Sequence, residues 1–311
     1  MTLPVVSIVL PVWNPQPEWV NAAIDSAFHE SRCLIEVVLV DDGSDHRPES
    51  WLSEQNARRT RIITTPHRGV VYARNTALRH CSGDFIRFLD GDDLILPEST
   101  SALAVAASEM GCPVTYGSTV LTDSELRKCG MLCSRLRGWI HLQTALGLFD
   151  CTLPALLIPR RIVDRVGGFD ERLVIQEDWD FVLRVSEAVE FRGINRPVYI
   201  YRRNEMSSTY RAARRHAVRS TAIIIKGYLA RHPELDGTRP ARKLRAYAQF
   251  LIARLKDPAI PMRSRRFWRA TAADPLRGTG IAAARIAALG RTKAQAVTRA
   301  AQLIVSKRQR L

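Results

Sequence analysis

The chain opens with VVSIVLP (5–11), a run too continuously apolar and β-branched for a one-sided helix, and it predicts a buried strand. PEWVNAAIDSAFHE (17–30) follows with helical spacing, placing Trp19, Ala23, Ala27 and Phe28 on neighbouring faces. The alternation then repeats. IEVVLVDD (35–42) and RIITT (61–65) read as strands, GVVYARNTALRHC (69–81) as a helix, and DFIRFL (84–89) as a fourth strand. PESTSALAVAASEM (97–110) predicts a helix with Pro97 in its first turn and Glu98 suited to the positive helix start. PVTYGSTVL (113–121) returns as a strand. Near-continuous apolar strands between helices predict an α/β body with a mostly parallel sheet covered on both faces.

From Thr122 to Leu153 the rhythm breaks and supports no assignment. Residues 155–171 read as a strand, a short helix and a Gly-Gly turn; 177–189 is an amphipathic helix; FRGINRPVYIYRRN (191–204) reads as a short hairpin. Beyond it the pattern is helical only, broken at Pro233, Pro240, Pro258, Pro261 and Pro275. The expected division is an α/β body over 1–204 and a helical region over 205–311.

Charge sharpens that division. The 311 residues carry a net +15, but residues 202–311 hold 26 Lys and Arg against 5 Asp and Glu, while the first 201 hold 20 against 26. A slightly acidic body with a strongly basic C-terminal region points to an anionic partner: nucleic acid, phospholipid or a phosphorylated substrate. No apolar run approaches the roughly 20 residues of a membrane span. The first residues lack the basic segment of a signal peptide. Six scattered cysteines, without paired spacing, fit a reduced cytosolic protein and argue against a zinc site.

Two acid clusters fall at strand ends: Asp41 and Asp42 after the second strand, and Asp90, Asp92 and Asp93 after the fourth. Each alone reads as a turn, since DDGSD is good turn chemistry and the second cluster precedes a helix. Two on one edge of one sheet favour a shared site, because open α/β sheets bind ligands at the carboxyl ends of their strands. Neighbouring carboxylates repel one another and lose hydration on burial. No glycine-rich phosphate loop is present, so a bound nucleotide needs another counter-charge. A hard divalent cation (manganese or magnesium), held by one or two carboxylates and by substrate phosphates, answers both needs.

The order of motifs VSIVLPVWN, VDDGS, GVVYARNTAL, GDFIRFLDGDD, GGFDE and QEDWDFVLR resembles family 2 glycosyltransferases of the GT-A fold, over about residues 5–204. The resemblance implies an inverting transfer of a sugar from a nucleoside diphosphate, UDP first, to a glycan or lipid-linked acceptor in polysaccharide or glycoconjugate assembly. It implies that Asp42, with Asp41, binds the nucleobase, that Pro11 and Val12 line the base pocket with Asn14 close by, and that Arg74 lies near the nucleotide. Asp92 and Asp93 would contact the ribose and the metal, with Asp90 sharing the metal. Asp178 would be the catalytic base, with Glu177 beside it. By residues alone, without the other motifs, Asp178 reads as a helix-start acid favoured by the dipole. One departure stands out: Asn204 occupies a place where the family often has histidine, and Arg202 and Arg203 beside it offer positive charge instead.

Residues 280–311 alternate small apolar residues with Arg285, Arg291, Lys293 and Arg299, with Gly290 as a break. Two readings stand: a solvated face packed on the body, or an interfacial helix on an anionic membrane, which would place the protein on the inner face of the cell membrane. Nucleic acid is a poorer fit, with few aromatics and no binding motif. The rival functions are a sugar nucleotidyltransferase, which needs a loop unlike PVWNPQPEW after its first strand, and an inactive membrane- or nucleic-acid-binding protein.

Overall fold

A computed structural model describes residues 3–109, 111, 114–203 and 214–256. Asn204, Pro258, Pro261, Pro275 and the segment 280–311 lie outside the described residues. The α/β class expected from the sequence is the observed one. Elements run β1 (Val5–Val12), α1 (Pro17–Ala27), β2 (Leu34–Asp41), α2 (Glu54–Arg59), β3 (Thr60–Thr64), α3 (Val70–His80), β4 (Phe85–Phe88) and β5 (Leu94–Ile95). They continue with α4 (Ser99–Glu109), β6 (Val114–Thr122), β7 (Lys128–Leu132), α5 (His141–Ala145), β8 (Leu156–Pro159), α6 (Arg160–Val166), α7 (Glu177–Ala188) and β9 (Phe191–Arg202). Two helices close the described chain, α8 (Arg214–Arg231) and α9 (Arg239–Lys256).

The strands form one sheet in the order β3-β2-β1-β4-β8-β6-β9-β5, with β7 paired to β6. β3, β2, β1 and β4 are parallel neighbours. β8 runs antiparallel to both β4 and β6, and β6 and β9 are parallel again. Both faces are covered, which is why β1 and β2 read as unbroken apolar runs. Val6, Ile8 and Leu10 pack with Val20 and Ile24 of α1 and Leu103 of α4. Val9, Val38 and Val40 face the other way, into a core with Ala73 and Ala77 of α3 and Phe181 of α7.

Three expectations change. The stretch 191–204 is not a hairpin: Phe191–Arg202 is one strand, pairing with β6 on one side and β5 on the other. The Arg196-Pro197 pair that looks like a turn sits at a register shift opposite Ser118, and a bulge tolerates the missing proline N–H. The helix expected from Pro97 begins at Ser99, because Glu98 takes φ +58° and donates its N–H to His29 O at 2.8 Å. The anion at that helix start is Glu30, whose carboxylate accepts from the N–H of Thr100 (2.9 Å) and Ser101 (2.8 Å). Finally, the unassigned stretch 122–153 contains β7 and α5.

Arg87 on β4 is wholly buried and has no ion-pair partner among the described residues. It donates to Pro154 O, Ser99 Oγ, Thr100 Oγ1 and Val198 O at 3.2, 3.0, 2.6 and 2.7 Å. Burial lowers it to about 10, so it keeps its charge at neutral pH. On the outer side of α7, Leu183 meets Ile224, Ile225 and Tyr228 of α8 and Leu244 and Ala248 of α9. α8 and α9 thus dock on the α/β body.

Candidate active site

The two acid clusters share one edge of the sheet. Asp41 ends β2 opposite Val12 of β1, and Asp42 donates its N–H to Val12 O at 2.9 Å. The turn at Gly91 in the second cluster lies against the same Val12: a Cβ at Gly91 would stand 3.0 Å from Val12 Cγ1. Pro11 and Val12 are both buried at this edge.

Asp41 is 1% exposed, and its Oδ1 accepts from the Ser44 N–H and hydroxyl. Asp42 accepts from the N–H groups of Arg68 (2.9 Å) and Gly69 (2.7 Å), fixing the turn that starts α3. His67 Nδ1 lies 2.9 Å from Asp42 Oδ2. Two carboxylate oxygens offer about four acceptor positions, so these bonds leave capacity for a ligand N–H. The intervening glycine is required: Gly43 has φ +72°, and a Cβ there would lie 2.6 Å from His67 N. Asn14 takes φ +45° and closes a ring with Ser44 and Asp45: its N–H donates to Ser44 Oγ, its amide to Asp45, and the Asp45 N–H returns to Asn14 Oδ1. Half-exposed Trp13 stacks on His67, centroids 4.4 Å apart, at this mouth.

The three acids after β4 have three different surroundings. Asp93 is 1% exposed and faces β9: Oδ2 accepts from Tyr199 hydroxyl at 2.8 Å and Oδ1 from the Arg202 N–H at 2.7 Å. Burial, then the charges of Asp90 and Asp92, push its carboxyl far above the usual range. Asp92 receives no side-chain hydrogen bond among the described residues, while its carbonyl accepts from Arg202 Nε at 2.8 Å. Burial, reinforced by Asp90, raises Asp92 to about 6. Asp90 is half-buried and accepts from Arg74 Nη2 at 2.9 Å.

Arg74 is buried on α3 and its other nitrogen, Nη1, donates to Glu177 Oε1 at 2.8 Å. One guanidinium therefore joins the acidic turn after β4 to the acidic start of α7. Burial opposes the Arg74 charge, but Asp90 and Glu177 outweigh it and hold the cation more firmly than usual. Glu177 is raised by burial and then by the charge of Asp178. Asp178 is exposed in the first turn of α7, where the helix dipole favours an anion.

Several residues that position this arrangement have no distinct sequence signal. Tyr199 and Arg202 meet the acidic turn from β9, more than 100 positions away, and Arg202 stacks over Trp19 at 4.7 Å. Asn75, inside the ARN segment, is the more legible case. Its amide accepts from Phe169 N–H at 2.7 Å and donates to Phe169 O at 3.0 Å, fixing the Gly-Gly turn. A Cβ at Gly168 would lie 2.3 Å from Asn75 Oδ1. Asp180 pairs with Arg184, which holds Val166 O and Gly168 O of the same turn.

Among the described residues, no group of three or more His, Cys, Asp or Glu side chains forms a self-sufficient metal cage. Asp92 and Asp90 do fit the sparser mode in which one or two carboxylates hold a hard cation and substrate phosphates complete its shell. A carboxylate without a side-chain donor, made costly by burial and a like charge, is the ligand chemistry such a cation requires.

Fold and site together set an acid-lined edge on an α/β sheet, and comparison with known proteins says what the chain is similar to. Residues 7–155 match the family model "Glycosyl transferase family 2". The chain is 28% identical over 200 residues to the chondroitin synthase of Escherichia coli, covering 63% of this chain and 29% of that protein. It is 28% identical over 231 residues to the uncharacterised glycosyltransferase EpsJ of Bacillus subtilis, covering 67% of this chain and 63% of that one. The chain thus spans less than two thirds of either relative. The crystal structure of S. aureus TarS 1-349 in complex with UDP-GlcNAc superposes with a TM-score of 0.59 at 16% identity, covering 86% of this chain and 79% of that one, a likeness of fold. The match to glycosyl transferase family 2 thus lies in residues 7–155, and the similar proteins include glycosyltransferases. Among the described residues, no helix is long and apolar enough to cross a membrane.

Proposed function

We propose that the protein is an inverting, metal-dependent glycosyltransferase that moves a sugar from a UDP-type donor to a hydroxyl of a glycan or lipid-linked acceptor. The observation that carries this reading is the Arg74 bridge, which sets the acidic turn after β4 and the acidic start of α7 on either side of one guanidinium. The names of the relatives, a chondroitin synthase and a TarS complex with UDP-GlcNAc, support the donor class and a polysaccharide acceptor.

In this reading Asp42 and Asp41, with the Pro11–Val12 strand end and Asn14, receive the nucleobase, and the ribose lies toward the acids after β4. Asp92 and Asp90 hold the cation. Asp93, whose oxygens are engaged by β9, anchors them. The divalent ion, when bound, supplies counter-charge to the leaving diphosphate. Asp178 accepts the proton of the acceptor hydroxyl as its oxygen bonds to the anomeric carbon and the bond to the diphosphate breaks. A single displacement inverts that carbon. Arg74 keeps the base's neighbour Glu177 ion-paired, whereas the exposed Asp178 carboxylate accepts the Trp179 N–H at 2.8 Å and has no ion pair among the described residues. The division into a catalytic body over 1–204 and a basic region over 205–311, cytoplasmic and peripheral on the inner membrane face, completes the proposal. Its test is flotation with anionic liposomes: loss on deletion of residues 280–311 supports it, and equal flotation refutes it.

The chemical step is tested by Asp178→Asn, which preserves shape and removes the proton acceptor. Transfer should fall by about 10² to 10⁴ while calorimetric affinity for UDP with manganese stays unchanged. Near wild-type turnover would place the base elsewhere, with Glu177 next to test.

A further inference from the structure

The residue ahead of the proposed base is in an unusual conformation. Gln176 has φ 63° and ψ 17°, the left-handed region, where glycine or asparagine is ordinarily found. A non-glycine residue there is retained when its surroundings hold it. Here the holder comes from outside the α/β body. Thr221 of α8, itself 5% exposed, places Oγ1 2.8 Å from Gln176 Oε1 and 2.9 Å from Ala217 O. The hydroxyl has one proton, which it donates to Gln176 Oε1 or to Ala217 O in turn.

The same helix seals the loop beneath. Leu173, 1% exposed, packs with Leu183 of α7 and Ile224 and Ile225 of α8. Gln176 O then accepts from the Asp180 N–H at 3.1 Å, starting α7. The left-handed residue is thus where the chain changes direction, and it sets the direction in which Glu177 and Asp178 leave the turn.

We infer that Thr221 is a positioning residue for the proposed base: through Gln176 it fixes the turn that aims Asp178, so that α8 completes the active site. This rests on the reading of Asp178 as base. Thr221 touches neither substrate nor reacting atoms and acts through Gln176.

The test uses the full chain and the UDP-sugar that the wild-type protein hydrolyses fastest in the presence of manganese. Thr221→Val keeps shape and removes the hydroxyl. Its kcat should fall about tenfold, with KM for the donor and calorimetric affinity for UDP within twofold, and Thr221→Ser should restore kcat. Gln176→Gly accepts the left-handed conformation without strain and removes the tether. It should lower kcat similarly without lowering the melting temperature, and the double variant should be no slower than either single one. Wild-type kcat in Thr221→Val, multiplying effects in the double variant, or a loss that Thr221→Ser does not rescue would overturn the inference. Asp178→Asn run in parallel separates the two failures. If it is inactive while Thr221→Val is normal, the positioning role alone is wrong. If it is active, the base assignment falls and this inference with it.

Discussion

Replacing Arg74 by Met would leave two carboxylates facing each other without their cation. Arg74 is 6% exposed and makes ion pairs of 2.9 Å to Asp90 and 2.8 Å to Glu177. Removing one partner of a buried pair typically costs about 3–5 kcal/mol. Two features argue for the lower end. The Asp90 side chain is a third exposed, so water screens it. Glu177 is already raised by burial and Asp178, so it can take up a proton in place of its lost partner. The expected loss is about 3 kcal/mol, or roughly 6–12 °C in melting temperature for a protein of this size. Arg74→Lys should recover only part, because an ammonium meets one carboxylate and not two in a fork. Glu177→Gln in the Arg74→Met background should be stabilising by about 1–2 kcal/mol, since it removes the stranded acid. Urea unfolding of the four members of this cycle measures the coupling. A coupling below about 0.5 kcal/mol would show that the bridge contributes nothing specific and that the acid pairs are placed by packing alone.

Asp92 supplies a pH test in metal-free protein. Its folded-state value, about 6, lies above the usual 3.8 of an aspartate, so its stabilising contribution is fully present at low pH and lost as pH rises through about 6. Asp92→Asn should therefore be more stable than wild type at pH 8, by on the order of 3 kcal/mol, and similar to it near pH 4; a pH-independent difference refutes this. Asp93→Asn should fold normally, because the amide still meets Tyr199 and Arg202, whereas Asp93→Ala strands both and should cost about 2–4 kcal/mol. Equal melting temperatures for the two variants would remove the anchoring role.

The sheet's first half was legible because β1 and β2 are buried on both faces and say so in five or more apolar residues apiece. The second half was not, because its pairings are long-range. Nothing near Arg196-Pro197 tells that the chain bulges and continues along β6 instead of reversing. The helix start at Ser99 was misread for a similar reason: its anion is Glu30, 70 positions away from Thr100. In the site, both acid clusters were visible as clusters. Their division of labour was not, since Asp92 and Asp93 are chemically identical in sequence. What separates them is that β9 brings a hydroxyl and an N–H to Asp93, while Asp92 is left without a side-chain donor. Asn75 stood inside a quoted motif, yet its partner, the backbone of Phe169, has no residue-type signature.

The buried guanidinium of Arg87 also says where this protein can and cannot be cut. The family match ends at residue 155, which suggests a module that could be excised or grafted as a unit. But Arg87, on β4 of that module, gives one of its hydrogen bonds to Val198 of β9. A polypeptide ending at 155 would also lack β8, the strand that covers the β4 edge. It would expose a sheet edge and leave an interior cation with an open position. A piece that keeps this edge covered and this cation fully hydrogen-bonded extends through β9.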